Sequence, residues 1–140
     1  MKPTKPYILE DQIGHVLRKV SQRHTSIFST VMPTELTPTR FAAMAKLWEL
    51  GPLSQNELGR LTAMDIATIK GVVDRLRVRN LVESERDPND ARRQLIKLTS
   101  KGEEVIKKAI PDALEVTRLT VDALTQAETK QLLKLLLKLQ

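Results

Sequence analysis

Apolar residues recur every three or four positions along most of this chain, but between residues 81 and 99 they alternate with polar ones. Spacing of three or four is typical of an amphipathic α-helix, and alternation is typical of a half-buried β-strand. The segments LVESER and QLIKLT therefore indicate two short strands, and DPNDAR between them indicates the loop of a hairpin. The sequence predicts a mainly α-helical fold with one small β-hairpin.

Two short helices are predicted just before this hairpin. The residues SQNE form a capping box, in which the Ser54 hydroxyl accepts the backbone N–H of Glu57 and the Glu57 side chain reaches back. Asp65 then caps a helix over about residues 66–79. We expect the inward stripe of that helix to be Ile66, Ile69, Val73 and Leu76. Two helices joined by so few residues predict a helix-turn-helix, which the hairpin extends to a winged helix-turn-helix.

Longer helices flank this central part. One is predicted over residues 8–31, and a second begins with Thr37 as its cap and Pro38 at its first position. A long helix follows the hairpin. Pro111 should kink that helix rather than end it, because the apolar pattern resumes beyond the proline.

The last helix, KQLLKLLLKLQ, follows a second capping box formed by Thr125 and Glu128. It contains more leucines than one core-facing stripe requires. These are Leu132, Leu133, Leu135, Leu136, Leu137 and Leu139. A small domain rarely leaves so much apolar surface exposed, so we expect this helix to pack against a second copy of the chain. The alternative is a helix buried entirely within its own chain.

Composition excludes several classes of function. The chain has no cysteine, which rules out disulfides, thiol redox sensing and cysteine zinc sites. His15 and His24 form no metal-ligand cluster, so no metal or other cofactor is expected. Without paired histidines or a glycine-rich phosphate loop, no nucleophile–base set is found and an enzyme is not expected. The absence of a long apolar run or a secretory signal predicts a soluble, cytosolic protein.

The net charge of +6 and the pI near 9.8 favour a polyanionic partner, either nucleic acid or an anionic membrane surface. In a helix-turn-helix the second helix enters the major groove with its N-terminal residues against base edges. Thr68 offers a hydroxyl and a methyl group for this role, and Lys70 a long cation. Gly71 costs about 1 kcal/mol relative to alanine inside a helix, so an outward glycine fits close approach of another backbone or a phosphate.

Phosphate contacts are expected from the other cations of this helix. They are Arg75, Arg77 and Arg79. For Gly71 and for each arginine the alternative is an ordinary solvated face.

The hairpin tip is the predicted wing, residues 87–93, placed to reach a neighbouring minor groove whose negative potential attracts arginine. Asp90 and Arg92 are two residues apart, close enough for the carboxylate to orient the guanidinium. Arg93 is assigned to the phosphate backbone or to solvent. The alternative is a plain surface turn.

At these residues the chain resembles the MarR (multiple-antibiotic-resistance regulator) family of bacterial transcription factors. The segment DPNDARRQLIKLTSKG is similar to the family's wing signature, which here consists of Asp90, Arg92, Leu98, Thr99 and Gly102. Residues 36–82 resemble the part running from the second helix through the recognition helix. Asn80 stands where the family usually has glycine, and Arg40 stands where it often has glutamine.

The resemblance implies a homodimer with interleaved terminal helices that places two winged lobes on a pseudo-palindromic operator. By this likeness Arg92 is the minor-groove arginine and Asp90 its brace, while Ser54 and Gln55 touch phosphate. The predicted organisation is a single domain, 1–140, with a DNA-binding lobe at 37–99 and dimerisation helices at 8–31 and 103–140.

The resemblance further implies a ligand site, because members commonly release DNA when a small aromatic or phenolic acid binds between the dimerisation helices and the winged lobe. The chain resembles members that control aromatic-acid catabolism. The candidate effector-binding residues are His15, Arg18, His24, Phe41, Met44 and Trp48. An apolar wall with one or two cations suits a planar carboxylate. The alternative for the apolar residues and for His24 is a place in the core.

The sequence therefore predicts a dimeric transcriptional regulator, a repressor released from DNA by an aromatic carboxylate or phenolic effector. The alternative is a winged helix that docks an acidic protein partner without sequence-specific DNA binding.

Overall fold

The computed structural model of the protein describes residues 5–140 and confirms a mostly helical fold with one antiparallel hairpin. The first helix begins at Ile13 rather than at residue 8 as predicted, because a single 3₁₀ turn, Leu9–Asp11, precedes it. The elements are α1 Ile13–Val31, α2 Pro38–Leu50, α3 Gln55–Leu61, α4 Ile66–Val78, β1 Val82–Asp87, β2 Asp90–Leu98, α5 Ser100–Thr120 and α6 Gln126–Lys138. Along residues 5–140, no helix is both long and apolar enough to cross a bilayer.

The chain divides into two compact units. The winged lobe is Met32–Ala113, and the terminal unit combines residues 5–31 with Leu114–Gln140. The boundary lies inside α5, which continues through Pro111 as one helix.

The core of the winged lobe is built by α2, α3, α4 and the start of α5 around the hairpin. Its most deeply buried large side chains are Met44, Leu58, Ile69, Val73, Leu76, Val82 and Ile106. The inward stripe of α4 differs from expectation at one position, because Ile66 is 77% exposed and Val72 is buried instead. The stripe formed by Ile69, Val72, Val73 and Leu76 follows the spacing of one helix face. Ile66 lies at the edge of that face in the first turn, where α4 extends beyond the core.

Short-range signals begin and end the helices of the lobe. Thr37 caps α2 by accepting the N–H of Arg40, and Asp65 caps α4 by accepting the N–H of Thr68 at 2.7 Å. After α4, Asn80 adopts a left-handed φ of 63°, which asparagine tolerates better than most residues. These three expectations are confirmed.

The hairpin strands are longer than predicted. β1 and β2 extend to Asp87 and Asp90, so the turn between them is only Pro88 and Asn89 rather than a loop over 87–92. The register then shifts, with Arg86 opposite Gln94 but Asp87 opposite Asp90, so the residues between Asp90 and Gln94 have no partner across the strands. Arg92 and Arg93 lie in this irregular part of the hairpin. Unpaired residues in a strand bend it and redirect side chains, as in a β-bulge.

Close backbone packing fixes where α5 begins. A Cβ built on Gly102 would lie 2.0 Å from the carbonyl oxygen of Leu81, so any other residue would collide with the backbone just before β1. Thr99 caps α5 by accepting the N–H of Gly102, and its hydroxyl donates to the carbonyl of Asn80 at 2.7 Å. These contacts give Thr99 and Gly102 of this chain a structural role at the start of α5.

The terminal unit contains α1, the end of α5, and α6. The Arg23 guanidinium donates to the carbonyls of Thr120 at 2.7 Å and Leu119 at 3.0 Å, satisfying acceptors at the C-terminal end of α5. The predicted capping box of Thr125 and Glu128 is present at the start of α6. All six leucines from Leu132 to Leu139 are exposed, so burial of α6 within its own chain is wrong.

Candidate DNA-binding surface

The N-terminal half of α4 has polar side chains and one glycine on its outward face. Thr68 and Lys70 are exposed, and Gly71 lies between them and Arg75 on the same face. A Cβ built on Gly71 would meet only the Arg75 Nη1 at 3.4 Å, an ordinary contact with a flexible group. Nothing among the described residues therefore requires glycine here.

Two of the helix cations are held by a shared carboxylate. Lys70 Nζ lies 2.9 Å from Asp74, and Arg77 contacts Asp74 at 3.4 Å and the Ser84 hydroxyl at 2.7 Å. The hydrogen bond from Lys70 is the main cause that lowers the pKa of Asp74, with added attraction from Arg77. Arg75 differs, since its guanidinium has no hydrogen bond or ion pair with any residue in 5–140. A guanidinium without an internal partner is free to bind an external acceptor.

Arg92 projects from the wing with its base held. Its backbone N–H donates to Asp90 Oδ1 at 3.1 Å, and its Nε lies 3.5 Å from the same oxygen. The rest of the side chain extends outward and is 94% exposed. The structure thus shows the predicted brace, with the fork of the guanidinium left available.

Arg93 turns the other way, toward the start of α3. It donates to the Ser54 hydroxyl at 3.1 Å, forms an ion pair with Glu57 and lies 3.9 Å from Asp87. Ser54 accepts the N–H of Glu57 as predicted. The second half of the predicted capping box differs, because the Glu57 carboxylate accepts the Ser54 hydroxyl and not the Ser54 backbone N–H. Reciprocal backbone hydrogen bonds with Ile96 at 3.0 and 2.7 Å join Leu53 to the same strand. Arg93 therefore ties the wing to the helix-turn-helix.

Gln55, at the first position of α3, is half-buried beside this cluster, and its side chain has no hydrogen-bond partner within residues 5–140. Ile66 is the exposed residue that periodicity misplaced. Its position in the first turn, directly after a cap, was the signal that could have identified it.

The three effector candidates of the terminal unit lie on α1. His24 Nδ1 is 2.9 Å from the Thr120 hydroxyl, which itself donates to the carbonyl of Val116 at 2.7 Å. The hydroxyl has one proton, so His24 must donate from Nδ1, which leaves its Nε2 as an acceptor in the neutral ring. The buried Nδ1 of His15 has no partner among the described residues, and neither does the Arg18 guanidinium.

The effector candidates of the winged lobe differ in exposure. Met44 has no exposed surface and occupies the core position that the sequence left open. Trp48 is 41% exposed, with Lys107 Nζ 5.2 Å from the centroid of its ring, a cation–π contact. Phe41 is half-buried. Within residues 5–140, no group of three or more histidines and carboxylates could hold a metal ion.

Comparisons with known proteins agree with this geometry. Residues 36–93 match the MarR family model, a segment that spans α2 through the wing. The transcriptional repressor NicR of Pseudomonas putida is 40% identical over 135 residues, covering 96% of this chain and 85% of NicR.

Two solved structures share the fold across almost the whole chain. A probable transcriptional regulator from Pseudomonas aeruginosa is 44% identical with a TM-score of 0.92, covering 95% of this chain and 100% of that one. Bordetella bronchiseptica BpsR, a protein whose DNA binding is regulated by 6-hydroxynicotinic acid, is 35% identical with a TM-score of 0.92, covering 96% and 97%. On this likeness in sequence and fold, the chain belongs to the MarR family.

Proposed function

We propose that this protein is a transcriptional repressor that binds a pseudo-palindromic operator as a homodimer in the cytoplasm and has no enzymatic activity. The observation that carries the proposal is an exposed recognition helix beside a wing whose arginine is braced at its base but free at its tip. The repressor name of NicR and the regulated DNA binding of BpsR support the same function.

In this proposal α4 enters the major groove. Thr68 and Lys70 contact base edges, Gly71 allows close approach, and Arg75 and Arg77 bind phosphates. Lys70 and Arg77 must each either release Asp74 or contact Asp74 and the DNA at the same time. Arg75 has no carboxylate among the described residues to release.

Arg92 enters the adjacent minor groove while Asp90 keeps its base in place. Arg93 supports the wing, since its guanidinium is already bound by Ser54, Glu57 and Asp87. Ser54 then contributes chiefly to this support. Gln55 remains available for a phosphate at the start of α3.

A homodimer explains the exposed leucines of α6. On α1, the apolar residues Ile13, Val16, Leu17 and Val20 are exposed as well. Apolar surface of this extent marks an interface rather than a free surface. We therefore assign α1 and α6 to contacts with a second copy.

The effector is proposed to be a small aromatic carboxylate. Its polar groups would bind the α1 residues, with the carboxylate on the Arg18 guanidinium and ring hydroxyls or nitrogens at His24 Nε2 and His15 Nδ1. The assignment of Phe41 and Trp48 to the effector stays a prediction from the sequence, and Met44 is buried in the core of the winged lobe. The regulation of BpsR by 6-hydroxynicotinic acid makes that compound the first probe.

The DNA-binding proposal is tested by sequencing genomic fragments captured by the protein and comparing each fragment with random DNA. We expect one promoter region to bind at least about a thousandfold more tightly than random DNA at moderate salt. Equal binding of all fragments would instead favour a winged helix that docks an acidic protein partner.

The effector proposal is tested with 6-hydroxynicotinic acid, nicotinic acid and benzoic acid. A bound compound should raise the melting temperature by mass action and release the captured fragment. Arg18→Gln should abolish this response without weakening DNA binding, and Lys19→Gln, the neighbouring charge change, should preserve it. A response that survives in Arg18→Gln would contradict the assigned carboxylate contact.

A further inference from the structure

Three arginines, one in α2, one in α4 and one at the C-cap of α4, line one surface cavity of the winged lobe. The cavity has a volume of about 370 Å³ and is lined by Arg40 of α2, by Arg75 and Val78 of α4, and by Arg79 and Asp74. Arg40 is separated from the other two arginines by more than thirty residues of sequence, so only the packing of α2 against α4 brings them together.

The negative charge at this cavity does not balance the positive charge. Among the described residues Asp74 is the only carboxylate that lines it, and Asp74 is already paired with Lys70 and Arg77. Arg40 donates an N–H from Nη1 to the carbonyl of Glu35 at 3.0 Å, and none of the other N–H groups of its guanidinium has a partner among the described residues. The guanidinium groups of Arg75 and Arg79 have no hydrogen bond or ion pair with any described residue.

A surface with more positive than negative charge attracts polyanions. The cavity is also continuous with the proposed recognition surface. The Arg75 guanidinium reaches back along α4 to Gly71, where its Nη1 lies 3.4 Å from the position of a Cβ. An anion in the cavity would therefore lie beside the DNA groove that α4 is proposed to occupy. The DNA backbone supplies oxyanions at that edge.

We propose that Arg40, Arg75 and Arg79 form a phosphate-binding site for the DNA backbone, which extends the DNA contact from the helix-turn-helix and wing to the start of α2. This inference rests on the proposed function and adds Arg40, on a helix outside the helix-turn-helix, to the interface. The site positions the protein on the duplex and reads no bases.

The test measures the salt dependence of binding to a random-sequence duplex of about 30 base pairs, since a phosphate contact acts on every sequence. Arg40→Gln and Arg79→Gln should each reduce the slope of log affinity against log salt by about one, a roughly eightfold loss near 0.1 M salt. Lys46→Gln is the matched control, because it removes the same charge from α2 at a residue paired with Glu49. Its slope should equal that of the wild type.

The outcomes separate the two proposals. If the wild type binds DNA but both arginine variants retain its slope, the phosphate site is wrong and the proposed function stands. If the wild type binds no duplex, the proposed function and this inference both fail. Thermal melting of each variant accompanies the titrations, and Arg79→Gln provides a variant whose side chain has no internal hydrogen bond to lose. A loss that is confined to one promoter sequence would also contradict a backbone contact.

Discussion

The winged lobe and the terminal unit of this protein bury their apolar residues very differently. The lobe encloses a continuous core, whereas among the buried apolar side chains of residues 5–140 only Phe28 and Val116 belong to the terminal unit. Exposed large apolar residues show the reverse distribution. The lobe exposes a few, such as Ile66 and Val78 on α4, while the terminal unit exposes most of those on α1 and α6.

This difference indicates that the two units obtain their stability from different sources. Burial of apolar area contributes about 25 cal/mol per Å², so a helix pair that leaves its leucines in water gains little from folding alone. The lobe buries the inward faces of its recognition helix and hairpin within one chain. The terminal unit, by contrast, exposes the apolar residues that a second copy of the chain would bury.

The largest effect is expected from truncation in the lobe core. Leu76 is fully buried, so Leu76→Ala should lower the free energy of unfolding by about 2–5 kcal/mol. Because the loss arises within one chain, urea titrations at low and high protein concentration should show the same decrease. A decrease that depends on concentration would mean that the lobe also relies on a partner.

A charge on α6 should have a slightly smaller but concentration-dependent effect. Leu136→Glu places a carboxylate in the proposed interface and should weaken the dimer by roughly 2–3 kcal/mol, about 100-fold. Gln131→Glu adds the same residue at a polar position of α6 and should leave the dimer intact. Light scattering after size exclusion measures the outcome, and a Leu136→Glu dimer of wild-type affinity would refute the assigned interface.

Arg92→Ala should separate DNA binding from assembly. Loss of the exposed guanidinium should lower affinity for a captured promoter fragment by roughly 1–3 kcal/mol, while the dimer remains unchanged. Arg118→Ala makes the same substitution in the terminal unit, where Arg118 is paired with Glu115 at 2.6 Å. That variant should bind DNA normally. Equal affinities for Arg92→Ala and the wild type would remove the wing from the interface.

The smallest effect is expected from Gly71→Ala, which should increase the stability of the protein but decrease its affinity for DNA. Gly71→Ala should stabilise α4 by about 0.5–1 kcal/mol, because nothing in the lobe blocks a Cβ there. The same methyl group should weaken DNA binding if the groove approaches this position closely.

Gly14→Ala on α1 serves as the control for Gly71→Ala, since its Cβ would also meet nothing within 4 Å. It should increase stability without changing DNA affinity. If DNA affinity also stays constant in Gly71→Ala, the glycine is a tolerated residue on a solvated face.

Features that depend on a few neighbouring residues were predicted well. The caps at Thr37, Asp65 and Thr125 are present because each side chain bonds a backbone N–H three residues away. The hairpin and the left-handed Asn80 follow from equally local preferences. Ile66 was misplaced for a related reason, since periodicity assigns a face to a whole helix but does not show where the core ends.

Contacts between distant residues could not be predicted in this way. Sequence pattern assigned Arg93 to phosphate or solvent, but the shifted register of the hairpin directs it to Ser54 and Glu57. The role of Arg40 was left open because the cavity that it lines exists only where α2 packs against α4.

The sequence alone thus determined the order of elements, the helix caps at Thr37, Asp65 and Thr125, the wing and the likeness to MarR regulators, because backbone hydrogen bonding and apolar periodicity act over a few residues. Only the tertiary structure decided which arginines are held by internal carboxylates and which remain free. Arg93 is paired with Glu57, which is far from it in sequence, and Arg75 and Arg79 have no acidic partner among the described residues. Coulomb interactions depend on distance in space, and that distance is set by packing between helices and strands far apart in the chain.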